Sequence, residues 1–238
     1  MPSPYNLAIQ DHCTSCTIRN ERPFCNLSTA SVSALDTLKF TSVYPKGSVL
    51  FVEGEEPRGV FILCSGRAKV TTSSSEGKTL IVSIAEPGEV LGVSASILGT
   101  AHEVSAETIE PTQVNFVRRE DFLRFLGAHP DAAMHAAQAL SANYQSAQRE
   151  IRSLGLAQTT SEKLAKLLLD WCEKGDETPK GVRLKVLLTH EEIGQMIGTT
   201  RETVTRLLGD FKRKKVLEVK GSTVFVMQQA HLQSLVTT

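Results

Sequence analysis

The chain has 238 residues, of which 41% are hydrophobic and 22% charged, and its 26 basic residues balance 26 acidic ones. This is the composition of an ordinary soluble chain that is long enough for two modest domains. No apolar run approaches the length of a membrane span, and the N-terminus lacks the pattern of a signal peptide. The sequence therefore predicts a cytoplasmic protein without a membrane partner. Five cysteines, an odd number in a reducing compartment, argue against a disulfide framework.

Three of the five cysteines lie close together near the N-terminus, at Cys13, Cys16 and Cys25. The segment around them is polar and has no helical or strand period, which predicts a loop. Cys-x-x-Cys in a loop places two sulfurs within reach of one ion or cluster, and Cys25 can fold back as a third ligand. The pattern fits an iron-sulfur cluster, a zinc ion, redox thiols, or no function at all. Candidates for a fourth ligand are Asp11, His12, the distant Cys64, or a solvent or substrate molecule.

A helix and a series of strands follow the cysteines. Ser28 is predicted to cap a short amphipathic helix that ends at Leu38. From Phe40 to Val117, short apolar stretches alternate with glycine-containing turns, which predicts a β-roll or jelly roll. No helical period occurs in this block before Arg119. Cys64 lies inside one predicted strand, where a buried thiol is favoured over a ligand.

A short helix from Phe122 to Leu126 is predicted to precede a much longer one, which begins at Pro130 and ends at Gly155. Apolar residues recur on the long helix at alternating steps of three and four, which is the heptad pattern of a two-stranded coiled coil. The pattern favours a parallel homodimer, and the alternative is a helix that packs on its own domain. The predicted dimer interface consists of Ala137, Leu140, Tyr144, Ala147, Ile151 and Leu154.

The C-terminal part starts with a predicted helix over 160–172, a polar loop over 174–181 and a strand over 183–188. A β-hairpin over 216–227 and a closing helix over 229–236 are predicted to end the chain. The region between the strand and the hairpin is the most informative part of the sequence.

Two capped helices on a short turn in that region predict a helix-turn-helix. Thr189 and Glu192 have the spacing of a capping box, and Gly198 is predicted to end the first helix in a left-handed conformation. Thr199 and Glu202 repeat the capping-box spacing at the start of the second helix, whose apolar residues face the first helix.

The second helix, over 200–213, carries side chains that suit a DNA major groove. Arg can donate two hydrogen bonds to guanine, and Glu can accept one from cytosine. A basic run after these residues suits phosphates. The alternative is a solvated, salt-bridged helix face. The predicted DNA-binding residues are Arg201, Glu202, Thr205 and Arg206 in the groove, Lys212 and Lys214 at the phosphates, and Thr199.

The segments Glu191–Gly194 and Arg201–Leu207 together resemble the recognition segment of the CRP/FNR family of bacterial transcription regulators. The resemblance implies a winged helix-turn-helix in which Arg201, Glu202 and Arg206 occupy the base-reading positions. It also implies that a homodimer binds an inverted-repeat operator in double-stranded DNA, with RNA polymerase as a further partner.

The strand block resembles the effector domain of the same family. The positions that carry this resemblance are Gly47, Gly54–Glu55, Gly66 and Pro87–Glu89. Cyclic-nucleotide binders of the family have a Glu and an Arg in a phosphate-binding stretch after the strand that here ends at Gly92. Val93 stands in the position of that Glu, and residues 95–106 contain no Arg to offset the charge of a cyclic phosphate. The sequence therefore argues against a cyclic nucleotide as the effector.

The N-terminal cysteines resemble those of the oxygen-sensing FNR branch of the family, whose members hold a [4Fe-4S] cluster. The resemblance implies a cluster on Cys13, Cys16 and Cys25. Two features differ from that branch. Eight residues separate Cys16 from Cys25, which is more than usual, and the strand around 113–117, where the fourth cysteine of the branch lies, has none.

The sequence as a whole predicts an α+β chain with a cysteine leader over 1–27, a β-roll effector domain over 28–129, a dimerisation helix over 130–155 and a winged helix-turn-helix domain over 156–238. We interpret it as a homodimeric transcription regulator and not an enzyme, because it has no nucleophile elbow, phosphate-binding glycine loop or metalloprotease spacing. One alternative is the same regulator with a different small-molecule effector and no cluster. Another is a redox or metal-handling protein that does not read DNA.

Overall fold

The computed structural model describes residue 5, residues 7–155 and residues 159–236, and the side chains of 149–155 are outside that description. The chain forms two compact units, Met1–Arg149 and Glu150–Thr238. Within the described residues, no helix is both long enough and apolar enough to span a membrane.

The first unit begins with the cysteine leader and helix α1. Two short 3-10 turns, Cys13–Ser15 and Arg19–Glu21, form within the leader. Helix α1 spans Thr29–Leu38, and the Ser28 hydroxyl accepts a hydrogen bond from the Ser31 N–H group at 3.3 Å. The predicted cap and the predicted end of this helix are both confirmed.

The described strands of the first unit form two antiparallel four-stranded sheets, which confirms the predicted β-roll. The strands are β1 Phe40–Tyr44, β2 Val49–Phe51, β3 Gly59–Ser65, β4 Ala68–Ser73, β5 Thr79–Ala85, β6 Val90–Leu91, β7 Ser105–Thr108 and β8 Thr112–Arg118. The first sheet has the order β1-β8-β3-β6, and the second has the order β2-β7-β4-β5.

Side chains of β3 and β8 alternate between two apolar cores, as the pleat of a strand requires. Phe61 and Val114 pack inside the roll. Val60, Ile62 and Val117 pack on the opposite face of the first sheet, in what we name the outer core. The other buried residues of the outer core include Phe24, Leu27, Val32, Leu35, Phe122, Phe125, Ala132 and Ala136. The leader, α1 and the helices after β8 therefore cover one face of this sheet.

A six-residue helix, α2, interrupts the strand block at Val93–Leu98. Gly92 and Gly99 flank it in left-handed conformations, with φ values of 80° and 69°. The prediction of strands without a helix up to Arg119 was therefore wrong at this point. Six residues are too few to show a helical period in the sequence.

Two helices follow β8, α3 over Arg119–Ala128 and α4 over Pro130–Gly155. The predicted bounds of α4 are confirmed. The helix predicted over 122–126 begins three residues earlier than expected, and the acidic side chains of Glu120 and Asp121 favour its N-terminal turn.

The start of α4 is fixed against the roll by apolar burial and by a polar network. Ala132 and Ala136 are buried in the outer core. The Asp131 carboxylate accepts hydrogen bonds from the Ser28 N–H group at 2.9 Å and from the Ser31 hydroxyl at 2.7 Å. The first turn of α4 therefore supplies a hydrogen-bond acceptor for donor groups at the N-terminus of α1.

Further along α4, the predicted dimer interface is uncovered on the single chain over much of its described part. Ala137 and Ala147 are exposed, and the Tyr144 side chain is 65% exposed. Leu140 is the described member that is partly buried, because it packs at the edge of the outer core. The side chains of the remaining two predicted members, at positions 151 and 154, lie outside the described residues.

The second unit consists of helices packed on one small sheet. Its elements are α5 Thr160–Cys172, β9 Asp176–Thr178, β10 Gly181–Lys185, α6 His190–Ile197, α7 Arg201–Arg213, β11 Leu217–Lys220, β12 Thr223–Val226 and α8 Gln229–Val236. The strands have the order β11-β12-β10-β9. The C-terminal hairpin and the closing helix are confirmed.

The loop predicted over 174–181 is in part a strand, so that prediction was wrong for β9. Asp176 and Glu177 are poor strand formers, so the sequence gives no strand signal here. Backbone pairing with β10 forms it all the same, and the Arg183 guanidinium donates to the Asp176 carboxylate at 2.8 Å across the hairpin.

We predict that Asp131→Ala destabilises the first unit by about 1 kcal/mol at neutral pH, because two donors lose their acceptor. Hydrogen bonds from the Ser31 hydroxyl and then from the Ser28 N–H group hold the pKa of the Asp131 carboxyl well below its usual range. A lowered folded-state pKa means that this stabilisation is present above the unfolded pKa of about 3.9 and is lost as the pH falls toward the folded-state value.

Thermal unfolding followed by circular dichroism at pH 7 and at about pH 2.5 measures this effect. The difference between wild type and Asp131→Ala should shrink at the lower pH. Asp131→Asn is the matched control, since it keeps an acceptor oxygen but does not titrate. A difference between Asp131→Ala and wild type that is the same at both pH values would contradict the prediction.

Candidate functional site

The turn between α6 and α7 is built from two caps and one glycine. The Thr189 hydroxyl and the Glu192 carboxylate form a complete capping box at the start of α6. Gly198 ends α6 in a left-handed conformation with φ 68°. The Thr200 hydroxyl then accepts a hydrogen bond from the Thr203 N–H group at 3.3 Å and begins α7.

The second capping box, predicted at Thr199 and Glu202, was wrong, because the N-cap of α7 is Thr200 and its hydroxyl pairs with the N–H group of Thr203. The Thr199 N–H group donates to the Gly194 carbonyl oxygen at 2.8 Å, so Thr199 completes the end of α6 and leaves the cap of α7 to Thr200. Helix α6 also lies close to the turn here, because a Cβ at Gly194 would lie 2.8 Å from the Thr199 carbonyl oxygen. The helix-turn-helix itself is confirmed.

The first two turns of α7 present an exposed polar face. Arg201, Glu202, Thr205 and Arg206 are all exposed. The Thr205 hydroxyl donates to the Arg201 carbonyl oxygen at 2.9 Å and lies 2.8 Å from Nδ1 of His190. The backbone N–H group of Glu202 and the hydroxyl of the N-cap threonine donate to the Glu202 carboxylate and lower its pKa. This face therefore offers two cations and one ionised acceptor to a ligand.

The C-terminal end of α7 carries the basic run. Lys212 and Lys214 are exposed, and Arg213 forms an ion pair with Asp210. Lys215 adopts a left-handed conformation with φ 57°, which turns the chain out of the helix toward β11. The lysines therefore lie where the chain leaves the recognition helix, a position suited to phosphate contacts.

A small cavity lies between the leader and the outer face of the first sheet. Its volume is about 30 Å³, and Cys13, Cys16, Cys25 and Cys64 all line it. The other lining residues include Gln10, Arg19, Arg22, Ile62 and Asn115. The structure thus brings together the three leader cysteines and the distant strand cysteine, all as free thiols.

Amide side chains of β8 hold the leader against the sheet. The buried Gln113 side chain donates to the Gln10 carbonyl oxygen at 2.8 Å and accepts from the Gln10 N–H group at 2.9 Å. The Asn115 amide lies 3.5 Å from the Cys13 sulfur and points its donor at it. On the other side, the Cys13 N–H group donates to the Asp36 carboxylate at 2.6 Å.

Burial changes the acidity of the Cys13, Cys25 and Cys64 thiols. Burial raises the pKa of Cys13 and Cys64 to about 12 and that of Cys25 to about 11, and neighbouring thiols add to the increase. Arg22 opposes the increase at Cys25, and Lys39 opposes it at Cys13. The buried thiols are therefore neutral at pH 7, and a bound metal would have to displace their protons.

Comparison with known protein families identifies one known domain in each of the two units. The cyclic nucleotide-binding domain model matches residues 41–129, and the Crp-like helix-turn-helix domain model matches residues 162–235. The chain belongs to the CRP/FNR family of transcription regulators. It therefore has a DNA-binding helix-turn-helix domain, as the sequence predicted, and the family consists of regulators and not of enzymes.

The similarity to individual family members is moderate but long. The fumarate and nitrate reduction regulatory protein of Vibrio cholerae is 28% identical over 231 residues, which cover 94% of this chain and 90% of that protein. The cAMP-activated global transcriptional regulator CRP of Pasteurella multocida is 26% identical over 186 residues, which cover 77% of this chain and 88% of that protein. The structure of FixK2 from Bradyrhizobium japonicum has a TM-score of 0.73 at 22% sequence identity, and the match covers 83% of this chain and 96% of that chain. This similarity supports the fold alone.

The four thiols that line the cavity are the ligand type that holds an iron-sulfur cluster, and thiolates also hold zinc. Zinc needs its thiolates at about 2.3 Å in a tetrahedron. Among the described residues, no group of three or more Cys, His, Asp or Glu side chains forms such a ready-made site. A cluster places each thiolate on a different iron and therefore accepts wider ligand spacing. The cavity has only the size of one or two water molecules, so the leader must move outward to admit a cluster.

Several residues at these sites could not be found from the sequence. Lys39 influences the Cys13 thiol only because the fold brings it close. Arg22 is near Cys25 in the sequence, but its contact with Cys64 depends on the fold. Gln113 holds the leader across more than one hundred positions of sequence. His190, at the start of α6, lies against Thr205 of α7. The spacing of helix caps gives a weak signal for His190, and the other three residues leave none.

Proposed function

We propose that the protein is a homodimeric, sequence-specific transcription regulator that senses oxygen or redox state through a [4Fe-4S] cluster on Cys13, Cys16 and Cys25. Its helix α7 enters the major groove of an inverted-repeat operator, and RNA polymerase is a further partner in keeping with the family. The observation that carries the sensory part is that these three thiols line one cavity, which the leader closes against the first sheet.

The DNA-binding part rests on the exposed face of α7. Arg201 is exposed and can donate to guanine. Arg206 can do the same, because its ion pair with Asp210, at 4.0 Å on the surface, contributes little energy. Glu202 is an acceptor suited to cytosine. Two such helices related by a two-fold axis reach successive major grooves, so the half-sites should be about 34–36 Å apart.

We predict that Arg206→Ala weakens binding to the operator by about 1–3 kcal/mol and relaxes the preference at one base pair. Lys214→Ala is the matched control, because loss of a phosphate contact weakens binding to all sequences alike and reduces the salt dependence. Fluorescence anisotropy titrations on the operator and on random duplex of equal length measure both effects. Equal losses on the two duplexes for Arg206→Ala would contradict its role as a base reader.

The homodimer rests on the uncovered seam of α4. Ala137, Tyr144 and Ala147 recur at heptad spacing and are exposed on the single chain. The other face of the helix is already used, because Ala132 and Ala136 are buried against the roll. An exposed apolar seam on a long helix is covered best by the same seam of a second copy.

We predict that Ala147→Glu dissociates the dimer, because two like charges would face each other across the two-fold axis without partners. Ala142→Glu introduces the same charge at an exposed position of α4 away from the seam and should leave the dimer intact. Sedimentation velocity gives the oligomeric state, and circular dichroism checks the fold. An Ala147→Glu variant that remains a dimer would show that α4 does not form the interface.

The sensory part rests on the chemistry of the leader. When bound, the cluster supplies a centre that reacts with oxygen. The chain's own residues bind it through thiolates, and Arg22 and Lys39 partly offset the negative charge that these thiolates bring. The Vibrio cholerae relative, whose similarity extends over 94% of this chain, is a fumarate and nitrate reduction regulator, which agrees with a response to respiratory conditions.

Contacts within the first unit offer a route from the leader to the dimer helix. The Cys13 N–H group donates to Asp36 in α1, and the N-terminus of the same helix donates to Asp131 in α4. Release of the leader would remove a contact from one end of α1 while its other end remains bonded to α4. Such a change biases the packing of α4 and with it the spacing of the two DNA-binding domains.

We predict that protein purified without oxygen is brown, contains iron and acid-labile sulfide, and loses its colour in air. Cys16→Ser should abolish the colour, whereas Cys172→Ala, which removes a thiol from the second unit, should retain it. Visible absorption and iron and sulfide analysis give the result, and operator affinity before and after exposure to air tests the link to DNA.

Three outcomes would contradict the sensory proposal in different ways. A colourless anaerobic protein with bound zinc would indicate a structural metal site. A protein without metal would leave a thiol switch or a leader with no sensory role. A brown protein whose operator affinity is the same before and after air exposure would have a cluster that does not control DNA binding.

A further inference from the structure

The end of strand β3 presents Cys64 to the leader. Along β3, Val60 and Ile62 face the outer core, and Cys64 has the same parity in the strand. The pairing of β3 with β8 shifts register at this point, where Leu63 is opposite Val114 and Ser65 is opposite Gln113. Such an irregularity leaves one residue unpaired and redirects its side chain. Cys64 is that residue, and its thiol lines the same cavity as the leader cysteines.

The leader is bonded to β3 at this same residue. The Arg22 guanidinium donates a hydrogen bond to the Cys64 carbonyl oxygen. Arg22 precedes Cys25 by three residues, and the Cys25 N–H group donates to the Arg22 carbonyl oxygen at 3.2 Å. Arg22 therefore fixes the turn that carries Cys25 beside Cys64.

A second contact fixes the same part of the leader independently. The Phe24 N–H group donates to the Gly88 carbonyl oxygen at 3.0 Å, and the Gly88 N–H group donates to the Leu63 carbonyl oxygen at 2.8 Å. A Cβ at Gly88 would lie 2.5 Å from Cβ of Arg22, so the leader touches this turn directly. Phe24 and Leu63 are the residues immediately before Cys25 and Cys64, and Gly88 joins them.

The other candidates for a fourth ligand are placed elsewhere. The His12 side chain is 72% exposed and contacts the Asp36 carboxylate at 3.2 Å. Asp11 is exposed, and neither residue lines the cavity. Asn115 does line it, but its amide donates to the Cys13 sulfur and is not a thiolate. Within the described residues, Cys64 is the remaining thiol that lines this cavity.

We infer that Cys64 is the fourth ligand of the cluster, supplied by β3 and not by the strand around 113–117. The inference rests on the sensory function proposed above. Each of the four thiols gives its proton to solvent as its sulfur binds iron, so the assembled site has only thiolate ligands. Cluster binding would then join the leader to β3, an inner strand of the first sheet.

The test compares wild type, Cys64→Ala, Cys16→Ser and Cys172→Ala as full-length proteins, each reconstituted anaerobically with iron and sulfide. Iron and sulfide content, visible absorption and Mössbauer spectra report the cluster, and circular dichroism reports the fold. Cys64→Ala should lose the [4Fe-4S] spectrum and iron as fully as Cys16→Ser. Cys172→Ala, which removes a partly buried thiol of the second unit, should behave as wild type.

The outcomes separate this inference from the proposal on which it rests. If Cys64→Ala keeps the wild-type iron content and Mössbauer spectrum while Cys16→Ser loses them, Cys64 is not a ligand and the cluster proposal stands. If wild type itself takes up no iron, the cluster proposal fails, and the inference fails with it. If Cys64→Ala does not fold, Cys64→Val takes its place, since valine fills the buried position with an apolar side chain that cannot bind iron. A folded Cys64→Val variant with full iron would equally overturn the inference.

Discussion

The burial of the leader on the outer face of the first sheet is the constraint on which the first unit depends. Phe24 is 1% exposed, and its ring centroid lies 6.2 Å from that of Phe122 in α3. Removal of a buried Phe side chain commonly costs about 3–5 kcal/mol. The segment that carries the cysteines is therefore part of the core and not an appendage. The leader therefore packs on a surface that α1, α3 and α4 share.

Much of the second unit could be predicted from the sequence because its signals are local. Capping box, glycine and helical period all lie within residues 189–213, and Thr189, Glu192 and Gly198 act as predicted. The one-residue error at Thr199 has a local cause as well. The sequence contains two adjacent threonines, and only the structure shows that the first belongs to the end of α6.

The cysteine site could be predicted only in part, because half of it is assembled by long-range contacts. The Cys-x-x-Cys spacing marks Cys13 and Cys16 as a pair, and Cys25 follows closely enough to be considered with them. Nothing in the sequence places Cys64 beside them, since the parity of β3 and its irregular pairing with β8 decide where that thiol points. The sequence also gives no signal for the role of the buried Gln113 amide, because its partner Gln10 lies in another part of the chain.

The two points at which the leader is held also explain the unusual spacing of its cysteines. Gln10 is bonded to β8 and Phe24 to the turn at Gly88, so the chain between them is a loop with both ends fixed. The entropy of closing such a loop grows only with the logarithm of its length, by about 0.6 kcal/mol for each doubling. Residues can therefore be inserted between Cys16 and Cys25 at little energetic cost. In this chain, the eight residues between Cys16 and Cys25 do not prevent both thiols from lining one cavity, because the anchors at Gln10 and Phe24 hold the segment on the sheet.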